Sequence, residues 1–204
     1  MNEIMEIPIQ QLALAFLYVA AVVLIVRRMG IPREMQIITS ALRMTIQLII
    51  AGYVLIYVFD SDALWLIALI LLGMESFAIY NAIKRTNMEL SAAMKRIIAI
   101  AIPAGTLLSL AFFLVGVVGG DAWRDPQYVI PLAGMIVGNA MTGVSLGVVR
   151  MMDGVKTGRA SIETALMLGA TPKVATRHIV RNAFDAALLP TINAMVGIGI
   201  VSLP

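Results

Sequence analysis

The chain has 204 residues, 60% of them hydrophobic and only 13% charged, with a formal charge of +3 and a mean hydropathy of +0.93. That balance excludes a soluble globular domain and identifies an integral membrane protein. The basic residues punctuate apolar stretches instead of forming one patch, which excludes a nucleic-acid partner, and with no cysteine there is neither a disulfide framework nor a thiolate metal site.

The first expected span runs from about residue 9 to 26. The segment before it, Met1 to Glu6, is acidic where a signal peptide would be basic, so the span reads as a retained anchor. Arg27, Arg28 and Arg33 form a loop in which Pro32 stops any continuous helix. A second span, 37–59, carries Arg43 and Gln47 in its first half. A third, 63–83, contains Glu75. The fourth, 97–118, includes Pro103 and Gly105 and is expected to bend there. The fifth, 128–149, ends at Arg150. Only fourteen residues run from Thr191 to Pro204, against the roughly 20 a spanning helix needs. Either the sequence is truncated, which is the preferred expectation, or that helix begins near Ala186 and kinks at Pro190.

The loops after spans one, three and five hold nearly all the basic residues, from Arg27 to Arg181, while the opposite side has Arg124 and several aspartates. By the positive-inside rule the N-terminus is outside and the long polar stretch from Arg150 to Asp185 is cytoplasmic.

That stretch reads as a helix, a stop and a restart. Ile162, Ala165, Leu166 and Gly169 recur at helical spacing, and Arg159 and Glu163 stand four apart, close enough to pair. Gly169 supplies a C-terminal stop, and Thr171 before Pro172 supplies an N-cap with proline at the first helical position. The expected second helix has one charged stripe, Lys173, Arg177, Arg181 and Asp185, opposite an apolar face of Val174, Ile179, Val180, Ala183, Phe184 and Leu188.

The run from Glu163 through Ala170, Thr171 and Pro172 resembles the EAA-type loop of ABC transporter membrane subunits, a coupling helix that docks into a groove on the ATP-hydrolysing subunit. The segment Ile130 to Met141, the Leu168-Gly169-Ala170-Thr171-Pro172 turn and the terminal Gly199 to Pro204 are similar to the FetB family. That family comprises bacterial permeases linked to iron export and a relative in plant aluminium tolerance. The importer form of the loop has a Leu-Pro pair shortly after the position of Ile179, where this chain has Arg181-Asn182.

The resemblance implies an all-α polytopic transmembrane helical bundle with about five full spans, an incomplete sixth and a cytoplasmic coupling helix. Residues 1–149 form the transmembrane region, 150–187 the coupling loop and interfacial helix, and 188–204 the start of a further span. It also implies that Ile162, Glu163, Ala165, Leu166, Gly169, Ala170, Thr171 and Pro172 couple the chain to an ABC ATPase subunit. The expected assembly includes a second copy of the chain and membrane lipid. ATP and Mg are expected on the partner, with no cofactor in this chain. The expected function is that of an ABC permease exporting iron or a related metal. The alternatives are an ATP-independent carrier or channel, an importer permease for another substrate, and an intramembrane enzyme using Glu75.

Arg43, Gln47, Glu75 and Asn139 are candidates for the translocation pathway or gate, since charged and polar groups inside a membrane are costly. Arg43 and Glu75 lie at similar expected depth and either pair or are satisfied separately, Arg43 by reaching to the interface. Asn139 either contacts substrate or bonds to a neighbouring helix. Gly134 with Gly138, and Gly143 with Gly147, allow close helix approach, within the chain or across a dimer seam. The metal ligands, if any, are not readable: the 14 methionines fit apolar filling, and Glu75 is the better contact for a metal. Catalytic patterns are absent. There is no phosphate loop or H-E-x-x-H, and the match Gly143-Val144-Ser145-Leu146-Gly147 lies mid-span, far from the single His178 and without the strand and turn of a nucleophile elbow.

Overall fold

The computed structural model describes residues 9–59, 63–86, 90–119 and 121–197, without the side chains of 9–15, 122 and 197. Every regular element among them is helical. The chain divides into two units, Met1–Ser61 and Asp62–Pro204.

The first unit holds α1, Ile9–Arg28, and α2, Glu34–Phe59. Gly30, at φ 68°, closes α1: its N–H reaches the Arg27 carbonyl and that of Ile31 reaches Val26, so the last carbonyls are capped before α2 begins. The expected acidic turn at residues 60–62 lies outside the described residues.

The second unit begins with α3, Leu64–Arg85, and α4, Ala92–Ala111, whose helical path continues in wider π turns over Phe112–Val118. A short 3₁₀ turn, Ala122–Arg124, leads to α5, Pro126–Thr157. Then come α6, Arg159–Met167, the single turn α7, Pro172–Ala175, and α8, Arg177–Gly197. Among the described residues α2, α3, α4 with its π turns, and α5 are each long and apolar enough to cross a membrane.

The core of this unit is written in four-residue steps. Ile98, Ile102, Thr106, Leu110 and Leu114 line the buried side of α4, while Ile67, Glu75, Ala78 and Ala82 line that of α3. Both meet Val129, Ala133 and Val137 of α5. Ser91 starts α4 by accepting the N–H of Met94 at 3.2 Å. Ser91→Ala is expected to cost about 1 kcal/mol, seen as a fall of roughly 2–4 °C in the thermal midpoint of the purified protein.

Two helices reach beyond the expected spans. The fifth span was expected over 128–149, and the helix that contains it, α5, continues to Thr157, since nothing breaks it before Gly158. The final helix does not start near residue 186 or 191. It runs from Arg177 through Pro190 to Gly197, and the rest of the expected span, residues 198–204, lies outside the described residues.

Candidate functional site

The polar segment after α5 folds as a helix, a left-handed corner and a restart. Gly169 has φ 86°, a conformation an L side chain enters only at a cost. Its N–H bonds to the Leu166 carbonyl and that of Ala170 to Ala165, both at 3.0 Å. These two bonds make a Schellman end, satisfying carbonyls that α6 would otherwise leave bare. Thr171 then has extended backbone, and its carbonyl accepts the N–H groups of Val174 and Ala175. Its side chain makes no capping bond, so Pro172 and the backbone alone start α7.

The expected continuous second helix is interrupted for one residue at Thr176, whose hydroxyl bonds back to the Pro172 carbonyl at 2.8 Å. Thr hydroxyls that compete for a helix carbonyl bend or break helices in this way.

The corner leaves a tip of unusual composition. Met167 and Leu168 are 86% and 84% exposed, with Leu166 and Val174 also exposed beside them. Ile162 and Ala165 turn inward, and Glu163 faces out, bonded to Arg159 at 2.7 Å. That ion pair is largely solvent-exposed and contributes only a few tenths of a kcal/mol. Behind the tip, α5, α6 and α8 enclose a cleft of about 640 Å³ lined by Arg150, Asp153, Ser161, Ile162, His178 and Asn182 among others.

The tip is braced by α8, which runs antiparallel along the second half of α5. A β-carbon placed on Gly143, Gly147, Gly154 or Gly158 would sit 3.3, 3.2, 2.6 and 3.3 Å from atoms of Ala187, Ala187, Ile179 and Ile179. Gly143 and Gly147 therefore serve a seam within the chain. A β-carbon on Gly134 would lie 3.1 Å from Met74 Cε, and one on Gly138 would find open space. The apolar residues expected opposite the charged stripe divide between packing and exposure. Ala183 is buried and Ile179 half-buried, whereas Val174, Val180 and Phe184 are 63, 51 and 65% exposed. Ile179, Ala183 and Ala187 pack on the α5 glycines, where the missing β-carbons permit close approach, and Val180 and Phe184 point outward.

Deeper in the bundle, Glu75 is buried, eleven residues after Leu64 and ten before Arg85. It contacts the Thr106 hydroxyl, itself buried on α4, and its second oxygen, Oε2, has no hydrogen-bond partner among the described residues. Arg43 and Gln47 lie one turn apart on α2, in the other unit, and both are exposed. Asn139 is exposed on α5 and is not among the side chains around Glu75. The structure thus gathers Glu75 with Thr106, a residue the sequence reading missed. Its signal was present: Thr106 is the polar member of the four-residue stripe Ile98, Ile102, Leu110, Leu114.

Long apolar helices around a buried carboxylate, with a polar helical corner beyond them, define a multi-pass helical membrane protein. Residues 9–204 match the family described as Uncharacterised protein family (UPF0014), and the chain belongs to that family. It is 38% identical over 195 residues to the Probable iron export permease protein FetB of Escherichia coli (strain K12), an overlap covering 96% of this chain and 73% of that protein. It is 34% identical over 192 residues to Protein ALUMINUM SENSITIVE 3 of Arabidopsis thaliana, covering 94% and 68%. To the UPF0014 membrane protein YjkA of Bacillus subtilis (strain 168) it is 32% identical over 179 residues, covering 86% and 67%. No solved structure matches. The resemblance expected from the motifs holds at the level of the family.

Proposed function

We propose that the chain is the permease subunit of an ABC transporter, moving a metal or metal-linked substrate with ATP hydrolysed on a separate subunit. One observation carries the reading: the Leu166, Met167 and Leu168 tip, apolar and exposed at the end of the most polar stretch of the chain, held in shape by the Gly169 corner. An apolar tip on a polar base is the surface expected of a helix that seats in a groove on another protein. The excess of basic residues on the same side supports a cytoplasmic position, where ATP is available. Iron is the first substrate and export the first direction, by similarity to the probable iron export permease protein FetB. Arg43, Gln47, Glu75 and Asn139 remain the candidates for the path, and a second copy of the chain would complete it.

In this mechanism ATP binding closes a pair of motor subunits, α6 moves with them, and α5 and α8 carry that motion into the spans. The test is purification of the complete reading frame from its native membrane under gentle conditions, followed by assay for a stoichiometric ATP-hydrolysing subunit. Its presence is the expected result. A preparation with no ATPase, under conditions that keep other membrane complexes intact, would replace the permease with an ATP-independent carrier or channel.

A further inference from the structure

We infer that the cleft between α5, α6 and α8 is a binding site for a phosphoethanolamine group, a phosphate and an ammonium joined by a short carbon chain. The cleft has room for it, at about 640 Å³, and its two charged side chains fix the class of ligand. Arg150 and Asp153 both line it, one helical turn apart on α5, which sets their β-carbons about 5–6 Å from each other. Neither side chain has an ion-pair or hydrogen-bond partner among the described residues, and Arg159 and Glu163, which do pair, lie outside the cleft. A simple anion drawn to Arg150 would also meet the Asp153 carboxylate, and a metal ion at Asp153 would meet the guanidinium. A zwitterion satisfies both. Phosphate is a group that guanidinium takes in paired hydrogen bonds, and an ammonium donates to a carboxylate. In phosphoethanolamine the two charges are separated by two carbons, a reach suited to side chains one turn apart.

The uncharged lining adds donors for the phosphate. Ser161 on α6 offers a hydroxyl. On α8, His178 and Asn182 hold each other through Nε2 and Nδ2 at 3.2 Å, which leaves the second ring nitrogen and the second amide proton for a ligand. The Thr157 hydroxyl proton is committed to the Asp153 carbonyl at 2.9 Å. No Phe, Tyr or Trp lines the cleft among the described residues, so a fully methylated ammonium, which has no N–H to give and relies on aromatic faces, finds no seat. Depth favours a phospholipid as the carrier. Arg150 directly follows the apolar stretch 128–149, and at ~1.5 Å per residue Asp153 stands about 4.5 Å further along α5. The headgroup layer of one leaflet is roughly 5–7 Å thick, so both charges fall within it, and basic pockets between helices at this level take phospholipid headgroups. A headgroup held there bridges α5 to α6 and α8 and braces the base of the tip.

Neither the binding nor its test depends on the permease reading. The test uses the whole protein with whatever subunits accompany it, delipidated in detergent and titrated with dioleoyl phospholipids that differ in headgroup alone. Native mass spectrometry reads the lipid retained per chain. Wild type is expected to hold one phosphatidylethanolamine per chain, roughly fivefold or more tightly than phosphatidylglycerol or phosphatidylcholine. Asp153→Asn should abolish the preference over phosphatidylglycerol, and Arg150→Gln should weaken phosphatidylethanolamine several-fold. Lys173→Gln, on α7 and outside the cleft, should change neither. Soluble glycerophosphoethanolamine distinguishes the sources: binding of it alone, lost in both cleft variants, supports the site with a free occupant, and binding of the lipid alone supports the membrane source. Equal retention of the three lipids by wild type, or a preference untouched by Asp153→Asn, would overturn the site and leave Arg150 and Asp153 as solvated charges. Both side chains are exposed, so the variants should keep the wild-type thermal midpoint; if Arg150→Gln does not fold, Asp153→Asn decides the matter.

Discussion

Gly154→Ala is expected to loosen the seam between α5 and α8 by up to roughly 2 kcal/mol, although alanine is the better helix former. The added β-carbon would lie 2.6 Å from Ile179 Cγ2 and 3.5 Å from Ile179 Cβ. Cβ is the branch point of a stiff side chain and Cγ2 a methyl directly on it, so relief requires a change of χ1 rotamer or a shift of backbone. Overpacking of this kind costs about 1–3 kcal/mol, and the propensity gain of about 1 kcal/mol returns only part of it. Gly138 is the internal comparison, because nothing lies within 4 Å of a β-carbon there. Gly138→Ala should raise the thermal midpoint slightly where Gly154→Ala lowers it. Adding Ile179→Ala to Gly154→Ala should recover part of the loss, since the smaller side chain vacates the contested space. Equal shifts for the two alanine variants, with no recovery in the double variant, would mean that α8 does not seat on these glycines in the membrane.

The second large effect is expected at the tip. Leu168 is 84% exposed and has an ordinary backbone conformation, so Leu168→Glu should leave the fold and its thermal midpoint unchanged. If α6 docks on an ATPase, an apolar anchor at the centre of that contact is worth about 2 kcal/mol or more. Leu168→Glu should then reduce recovery of the ATPase more than tenfold. Gly169→Arg tests the same surface through the backbone: the side chain finds open space but must adopt φ 86°, at a cost of roughly 1–2 kcal/mol. It should lower ATPase recovery as well, with some loss of local stability. Wild-type recovery in both variants would remove the coupling role of α6.

The features that were legible in the sequence are those set by local chemistry. Gly169 before Ala170, Thr171 and Pro172 announced a left-handed stop and a restart, and both occur. Long apolar runs announced the helices of the bundle. Orientation of a helix within the bundle was much harder to read. The sequence grouped Ile179, Val180, Ala183, Phe184 and Leu188 on one apolar face without saying which of them meet α5. The approach of Ile179, Ala183 and Ala187 to the α5 glycines sets the packed side and leaves Val180 and Phe184 exposed. Thr106 was passed over for a related reason. A hydroxyl in a span can bond to its own helix and needs no partner, so only its place opposite Glu75 gives it significance. The end of α5 was not legible because hydropathy reports the apolar stretch, while the helix continues until Gly158.

The unbroken 32 residues of α5 also set a mechanical scale. At ~1.5 Å per residue the helix is about 48 Å long, against a hydrocarbon layer of about 30 Å. It therefore reaches from the apolar interior to the base of the tip as a single strut. A tilt of about 5° pivoting at one end displaces the other by ~4 Å, a distance that follows from the rod's length alone. Small angular changes at the polar end thus become displacements the size of an atom or more where the helix passes Ala133 and Val137, beside Glu75.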